Sequence, residues 1–121
     1  MTDEQRRLFD RARRALRTAH TNLSDGDPPA AINRAYYAAT AALLHAGETP
    51  GTHKGTHRRF HLHFVASGQF PVIIGQTLGF VYEMRQRAYY ETFTVFDEAA
   101  VADLITDVER FVQAAEAMLQ A

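Results

Sequence analysis

The sequence predicts an all-α fold, an antiparallel bundle of about five helices arranged as two long helical hairpins and a closing helix. Three observations support this fold class. In several long segments, apolar residues recur three or four positions apart, which is the spacing of an amphipathic helix. Segments rich in glycine and proline, such as "SDGDPP" and "GETPGT", separate these helical stretches. The one strand-like stretch, "ETFTVF", is too short and isolated to form a sheet.

The first predicted helix covers about residues 3–23, with six arginines on its polar faces. Its apolar positions are Leu8, Ala12, Ala15, Leu16, Ala19 and Leu23. Gly26 is predicted to end it, because glycine tolerates a left-handed turn. Asp27 can then cap a second helix that begins at Pro28 and extends to about Ala46. Eight alanines between residues 30 and 46 favour this helix and allow a neighbouring helix to approach closely.

A third helix is predicted over residues 53–67, where Gly68 stops it, and a fourth over about residues 71–88. Gly75 and Gly79 lie inside the fourth helix, at a cost of roughly 1 kcal/mol each. Two such costs one turn apart predict that another backbone packs closely there. The alanine-rich second helix and a second subunit are the two candidates.

Asp97 is predicted to cap a fifth helix, whose apolar stripe is the most regular in the chain. The stripe consists of Val101, Leu104, Ile105, Val108, Phe111, Val112, Ala115, Met118 and Leu119. The 121 residues are enough for one hydrophobic core, so residues 1–121 are expected to form a single domain.

The composition excludes several classes of protein. There is no cysteine, and therefore no disulfide framework and no thiolate metal site. The charged N-terminal segment lacks the apolar core of a signal peptide, and no stretch is apolar for the length of a membrane span. A cytoplasmic location is therefore expected.

The net charge of −1 conceals an uneven distribution of charge. Residues 1–90 contain 12 basic and 7 acidic side chains, whereas residues 91–121 contain 1 basic and 7 acidic ones. The basic middle of the chain can attract phosphate groups. The alternative is that the helices have solvated faces of different charge and bind nothing.

Histidines recur every fourth residue at His53, His57 and His61, a spacing that can hold a transition metal on one helix face. The hydrolytic version of this motif contains a glutamate, but "HRRFH" has arginines there, and two cations disfavour a divalent metal. We therefore predict no metal site and no cofactor. The histidines are expected to add to a basic surface, or to cap and pack locally.

A candidate nucleic-acid surface combines basic side chains with tyrosines. Phosphate contacts are predicted for Arg34, His53, Lys54, Arg58 and Arg59. Tyr37 offers a flat face on which a base can stack, although tyrosines in alanine-rich helices also serve as core residues with one wet end. Arg85 and Arg87 end the fourth helix, where a cation interacts favourably with the helix dipole. Because apolar residues precede them, at least one is expected to lie near the packed surface with an anionic partner.

Four short motifs occur in order between about residues 30 and 115: "NRAYYA", "THKG", "RQRAYY" and "DVERFV". With these motifs the chain resembles the HEPN superfamily, and within it the small single-domain prokaryotic branch. That family is an all-α bundle. The tetrapeptide "RAYY" occurs at Arg34 and at Arg87, but the flanking segments share no further pattern. We therefore exclude an internal duplication.

The resemblance implies a homodimer that acts on RNA or nucleotides, as part of a toxin–antitoxin or defence module with a small nucleotidyltransferase. The ribonuclease members cut RNA without a metal, using an arginine and a histidine four to six residues later that meet across the dimer. Arg85 matches that arginine, but Tyr90 occupies the position of the histidine. The sequence also has Tyr89 where close relatives tend to have an aspartate, which removes an acidic partner for the arginine.

This departure matters because histidine, with a pKa of about 6.5, exchanges protons readily at neutral pH. Tyrosine, with a pKa of about 10, is only roughly 0.1% ionised at pH 7. Arg85 and Tyr90 are still the predicted catalytic pair. Both a metal-independent ribonuclease and a non-catalytic binding subunit stay open, and the alternative class is a structural dimer that binds only protein.

Overall fold

The computed structural model describes residues 1–44, 68, 72–91 and 94–120. They form four α-helices: α1 (Asp3–Ser24), α2 (Pro28–Leu44), α3 (Val72–Tyr90) and α4 (Glu98–Gln120). These residues contain no strand, so the predicted all-α class is confirmed. The remaining predicted helix, over residues 53–67, lies outside the described residues. His53, Lys54, His57, Arg58, Arg59 and His61 lie there with it.

A capping box starts α1 at Thr2. The Thr2 hydroxyl accepts a hydrogen bond from the Gln5 backbone N–H at 3.1 Å, and the Gln5 side chain accepts one from the Thr2 N–H at 2.9 Å. This Thr-x-x-Gln pattern can be read in the sequence, and it satisfies two of the free N–H groups at the helix start. Gly26 ends the helix with φ of 79°, as predicted.

Two predicted aspartate caps are confirmed. The Asp27 carboxylate accepts a hydrogen bond from the Ala30 N–H at 3.3 Å at the start of α2. The Asp97 carboxylate accepts one from the Ala99 N–H at 3.2 Å at the start of α4. Each carboxylate also places a negative charge at the positive end of a helix dipole.

We expect Asp97→Ala to lower the free energy of unfolding by about 1 kcal/mol, because it leaves N–H groups of α4 without their cap. Urea denaturation monitored by circular dichroism measures this change. Asp103→Ala removes an exposed acidic group from the interior of the same helix and should change stability by less than about 0.5 kcal/mol. Equal effects of the two substitutions would contradict the capping role.

The helices α2 and α4 form a central pair, and each of them packs against both α1 and α3. Side-chain contacts show the relative directions of the helices. Arg13 and His20 of α1 pair with Glu116 and Glu109 of α4, so a later residue of one helix meets an earlier residue of the other. The two helices are therefore antiparallel.

The core confirms most of the predicted apolar positions. The largest fully buried side chains are Phe9, Ile32, Leu78, Val81, Val101, Leu104, Ile105, Val108 and Phe111. Five alanines of α2 are also completely buried: Ala31, Ala35, Ala38, Ala39 and Ala42. The prediction for α1 needs one correction, because Phe9 is buried whereas Leu8 is only half-buried. Phe9 continues the three-and-four spacing of Ala12, Leu16 and Ala19, and Leu8 lies at the edge of that face.

The predicted close packing of α2 at Gly79 is wrong. Gly79 is exposed, and a β-carbon built there would meet no atom of the described residues within 4 Å. Helix α3 nevertheless forms around Gly79, because the free energy lost at a helical glycine is small compared with that gained by burying the neighbouring Leu78 and Val81. Packing of a second subunit at this glycine stays a prediction.

Within the described residues, no helix is long and apolar enough to cross a membrane.

Candidate nucleic-acid interface

Arg85 is the centre of the candidate site, on α3 where this helix faces α2. Its half-buried guanidinium donates a hydrogen bond from Nε to Asn33 Oδ1 at 3.4 Å and one from Nη1 to Gln86 Oε1 at 3.2 Å. The guanidinium carbon lies 5.2 Å from the centre of the Tyr36 ring and 5.7 Å from that of Tyr89. Two aromatic rings and two amides therefore hold one cation.

Helix periodicity places these groups together. Asn33 and Tyr36 are three residues apart on α2, and Arg85 and Tyr89 are four residues apart on α3, so each pair shares one helix face. The rings of Tyr36 and Tyr82 also meet, with their centres 5.8 Å apart. Because the later residue of α2 meets the earlier residue of α3, the two helices are antiparallel. Small buried alanines on α2 allow the close approach.

Tyr36 serves as a structural partner of the cation and not as a base. Its ring is buried, and burial raises its pKa to about 12, although the nearby charge of Arg85 acts in the opposite direction. A raised phenol pKa means that the hydroxyl keeps its proton throughout the physiological range. Tyr36 therefore presents a neutral ring to Arg85 at any pH at which the protein works.

Arg87 differs from Arg85 in having a carboxylate partner. Its Nε donates to Glu91 Oε2 at 3.3 Å, and the Thr94 hydroxyl donates to the same oxygen at 2.6 Å. The pKa of Glu91 is lowered, first by the hydrogen bond from Thr94 and then by Arg87. Among the described residues, no carboxylate forms such an ion pair with Arg85. Within the described part of the chain, Arg85 therefore lacks the anionic partner that a half-buried arginine is expected to have.

Tyr90, the predicted partner of Arg85 in catalysis, is the last residue of α3 and is 71% exposed. Its ring lies edge-on to Tyr89, with the ring centres 5.0 Å apart. Arg85 and Tyr90 are five residues apart on the helix, so their side chains point in different directions. The ring that lies over the Arg85 guanidinium is that of Tyr89. The catalytic role of Tyr90 stays a prediction.

Arg34 and Tyr37 lie on the exposed face of α2 and contact each other. The Arg34 guanidinium carbon is 5.8 Å from the centre of the Tyr37 ring, which is 43% exposed. Arg34 directly follows Asn33, whose side-chain oxygen accepts the hydrogen bond from Arg85 Nε. The other predicted phosphate contacts, His53, Lys54, Arg58 and Arg59, lie outside the described residues.

Four residues of the site were not predicted from the sequence: Asn33, Tyr36, Gln86 and Tyr89. Spacing alone could have suggested three of them. Asn33 and Tyr36 are three apart in "NRAYY", and Tyr89 follows Arg85 by one helical turn. These residues come into contact only because α2 packs against α3.

Comparison with known proteins agrees with this all-α fold. Residues 5–118 match the model of the HEPN domain family. A UPF0332 protein of Thermotoga maritima is 31% identical over 114 residues, which cover 91% of this chain and 86% of that protein. "Putative toxin MJ0605" of Methanocaldococcus jannaschii is 36% identical over 86 residues, or 68% of this chain and 63% of that protein. This chain belongs to the HEPN domain family.

Proposed function

We propose that this HEPN protein binds RNA or a nucleotide through Arg85, as a toxin-like component of a toxin–antitoxin or defence module. One observation carries the proposal: a half-buried guanidinium held by Asn33, Tyr36 and Tyr89 has no carboxylate partner among the described residues. A phosphate group is the anion whose geometry matches an arginine fork. The name of the Methanocaldococcus jannaschii relative supports the toxin-like part.

The orientation of Arg85 favours capture of a phosphate from solvent. Two of its N–H groups donate to Asn33 and Gln86, and within the described residues the other donors are left for a ligand. Tyr36 and Tyr89 restrict the guanidinium plane, so less conformational freedom is lost when the ligand binds. Arg34, which lies over the exposed Tyr37 ring on α2, provides a second cation for bound RNA.

The proposed assembly is a homodimer, with α3 at the subunit interface. The outward face of α3 exposes two large apolar side chains, Val72 at 57% and Phe80 at 52%. Gly79 lies beside Phe80, and no atom of the described residues would lie within 4 Å of a β-carbon there, so the backbone of a second helix can approach. Apolar exposure together with an unfilled glycine supports an interface between two copies. A small nucleotidyltransferase is the proposed partner of this dimer, as the family resemblance implies.

The residues around Arg85 within one protomer support RNA binding without cleavage. Tyr36 touches Arg85 but keeps its proton at neutral pH, and Tyr90 does not contact the guanidinium. Metal-independent cleavage would need a base from elsewhere, either Tyr90 of the second subunit or a histidine of residues 53–63. The first test is therefore RNA cleavage by the purified protein, with and without EDTA.

Cleavage that survives EDTA and requires Arg85 would support the ribonuclease form. RNA retention without cleavage would support the binding form. In either case we expect affinity to fall steeply between about 50 and 200 mM salt, because phosphate contacts release counterions. Filter binding with a mixed-sequence RNA measures this dependence. An intact dimer that retains no RNA at about 50 mM salt would contradict the proposal and favour the protein-interaction dimer.

A further inference from the structure

We infer that the outward face of α1 is a docking surface for an acidic helix of a partner protein. The surface is an arginine stripe formed by Arg7, Arg11 and Arg14, which follow one another by four and three residues and therefore share one face of the helix. All three side chains are exposed. The inference goes beyond the proposed function and does not depend on RNA binding at Arg85.

The arginine stripe differs from two other arginines of α1, which are paired within the protein. Arg6 pairs with Asp3 at 3.4 Å. Arg13 pairs with Asp10 at 3.6 Å and also with Glu116 of α4. Among the described residues, no carboxylate lies within ion-pair distance of an arginine of the stripe. The three charges of the stripe can therefore pair with a second molecule.

The charges of the stripe are unfavourable for α1 itself. Like charges three or four residues apart on a helix repel each other, and Arg11 has such a neighbour on either side. Packing does not require these side chains, because the buried face of α1 consists of Phe9, Ala12, Ala15, Leu16 and Ala19. Carboxylates of a bound partner would replace the repulsion with attraction.

The stripe is also separate from the site at Arg85. Helices α1 and α3 each pack against both members of the central pair, α2 and α4. Within the described residues, α1 and α3 do not pack extensively against each other, so they lie on opposite sides of that pair. The buried face of α1 is directed at the central pair, and the stripe lies on the other side of the helix. A partner on the stripe therefore leaves the site at Arg85 accessible.

Exposed acidic side chains beside the stripe favour a protein over a nucleic acid as its partner. Glu4 precedes Arg7 by three residues. Asp10 lies three residues after Arg7 and four before Arg14. A nucleic-acid strand has a negative charge on every nucleotide, so these carboxylates repel it. A protein can present carboxylates to the arginines and a lysine or arginine to Glu4.

The spacing of the stripe matches that of carboxylates on another α-helix. Arg7 and Arg11 are about 6 Å apart along the helix axis, and Arg11 and Arg14 are about 4.5 Å apart. Glutamates at positions i, i+4 and i+7 of a parallel helix have the same separations, and each can accept a two-pronged contact from an arginine. Leu8, half-buried and three residues before Arg11, adds an apolar contact at the edge. Such charge pairs mainly orient a partner and select for it.

The test uses the whole chain, labelled with nitrogen-15, and two synthetic alanine-rich peptides of about 20 residues, long enough to be helical. The matched peptide has three glutamates at i, i+4 and i+7, and the scattered peptide has three glutamates on different faces. We expect the matched peptide to shift the NMR signals of α1 with a dissociation constant of about 1–10 mM. The scattered peptide should bind at least about threefold more weakly. Equal binding of the two peptides, or shifts confined to other helices, would overturn the inference.

Two double variants test whether the position of the charges matters. Arg7→Gln with Arg11→Gln should weaken binding of the matched peptide by about tenfold, the loss of two ion pairs. Arg6→Gln with Arg17→Gln removes the same charge from another face of α1 and should change binding by less than about twofold. Glutamine and arginine have similar helix propensities, so both variants keep the helix. Equal losses would show that only net charge matters, contrary to the inference.

The melting temperature gives an independent readout. Arg11→Gln should raise it by about 1–3 °C, because removal of this charge relieves two repulsions within α1. A lower melting temperature would mean that Arg11 stabilises its own helix, which contradicts the inference.

An oligouridylate of about 12 nucleotides distinguishes this inference from the proposed function. If it shifts the signals of α1 and displaces the matched peptide, the stripe is a nucleic-acid surface and the inference is wrong. If it shifts only signals around Arg85 while the matched peptide shifts those of α1, both proposals are supported. If it binds nowhere while the matched peptide binds α1, the inference stands and the proposed RNA site is wrong.

Discussion

Replacement of Arg85 with alanine should reduce RNA affinity by roughly 100-fold. A charge-assisted hydrogen bond contributes about 1.5–3 kcal/mol, and a fork contact to phosphate makes two of them. A loss of about 3 kcal/mol corresponds to roughly 100-fold in the dissociation constant. The measurement is a binding isotherm with labelled RNA at about 50 mM salt.

Arg87→Ala is the matched control, because it removes the same charge two residues further along α3. Arg87 is exposed and donates to Glu91, so it is already paired within the protein. We expect Arg87→Ala to weaken RNA binding by less than about threefold. Equal losses for the two variants would show that the net charge of the helix end matters and that the geometry of Arg85 does not.

Arg85→Lys tests whether the fork geometry is required. Lysine keeps the positive charge but has no planar group to lie between Tyr36 and Tyr89, and it cannot make the two-pronged contact. We expect it to recover only a small part of the affinity lost in Arg85→Ala. Full recovery in the same binding isotherm would mean that Arg85 acts as a point charge.

The helix ends were predictable because their signals are local. Gly26, Asp27 and Asp97 act on the turn in which they lie, and all three behave as their residue types require. The buried stripe of α4 was equally clear, since its apolar spacing repeats over the whole helix. The exposure of Gly79 could not be predicted, because a glycine in a helix does not indicate which neighbour, if any, packs on it.

The site was only partly predictable for a related reason. Arg85 was predicted because it follows apolar residues and because it matches the arginine of the family, and the predicted residues Arg34 and Tyr37 contact each other on the exposed face of α2. Asn33 shares a helix face with Tyr36, and Tyr89 shares one with Arg85, but this spacing does not show which residues of the other helix they meet. Their roles come from the antiparallel pairing of α2 with α3, which is a tertiary feature. Periodicity within one helix cannot specify which residues of another helix it meets.

Phe111→Ala is the substitution expected to destabilise the protein most, by about 3–5 kcal/mol. Phe111 is completely buried on α4, one of the two central helices, and its removal leaves a cavity that four packed helices cannot close. Domains of this size have a total stability of about 5–15 kcal/mol, so this loss is a large fraction. Urea denaturation measures it, with Val95→Ala as control because Val95 is 93% exposed and should lose less than about 0.5 kcal/mol.

Phe80→Ala separates core stability from dimer stability in the same experiment. Phe80 is 52% exposed within one chain, so its truncation removes little of the packing inside a protomer. If Phe80 lies at the proposed interface, Phe80→Ala should lower the melting temperature through weaker dimerisation, and raising the protein concentration should restore much of the loss. The deficit of Phe111→Ala should persist at every concentration, because its cavity is inside one protomer. A Phe80→Ala protein with unchanged stability and unchanged dimerisation would exclude this face of α3 as the interface.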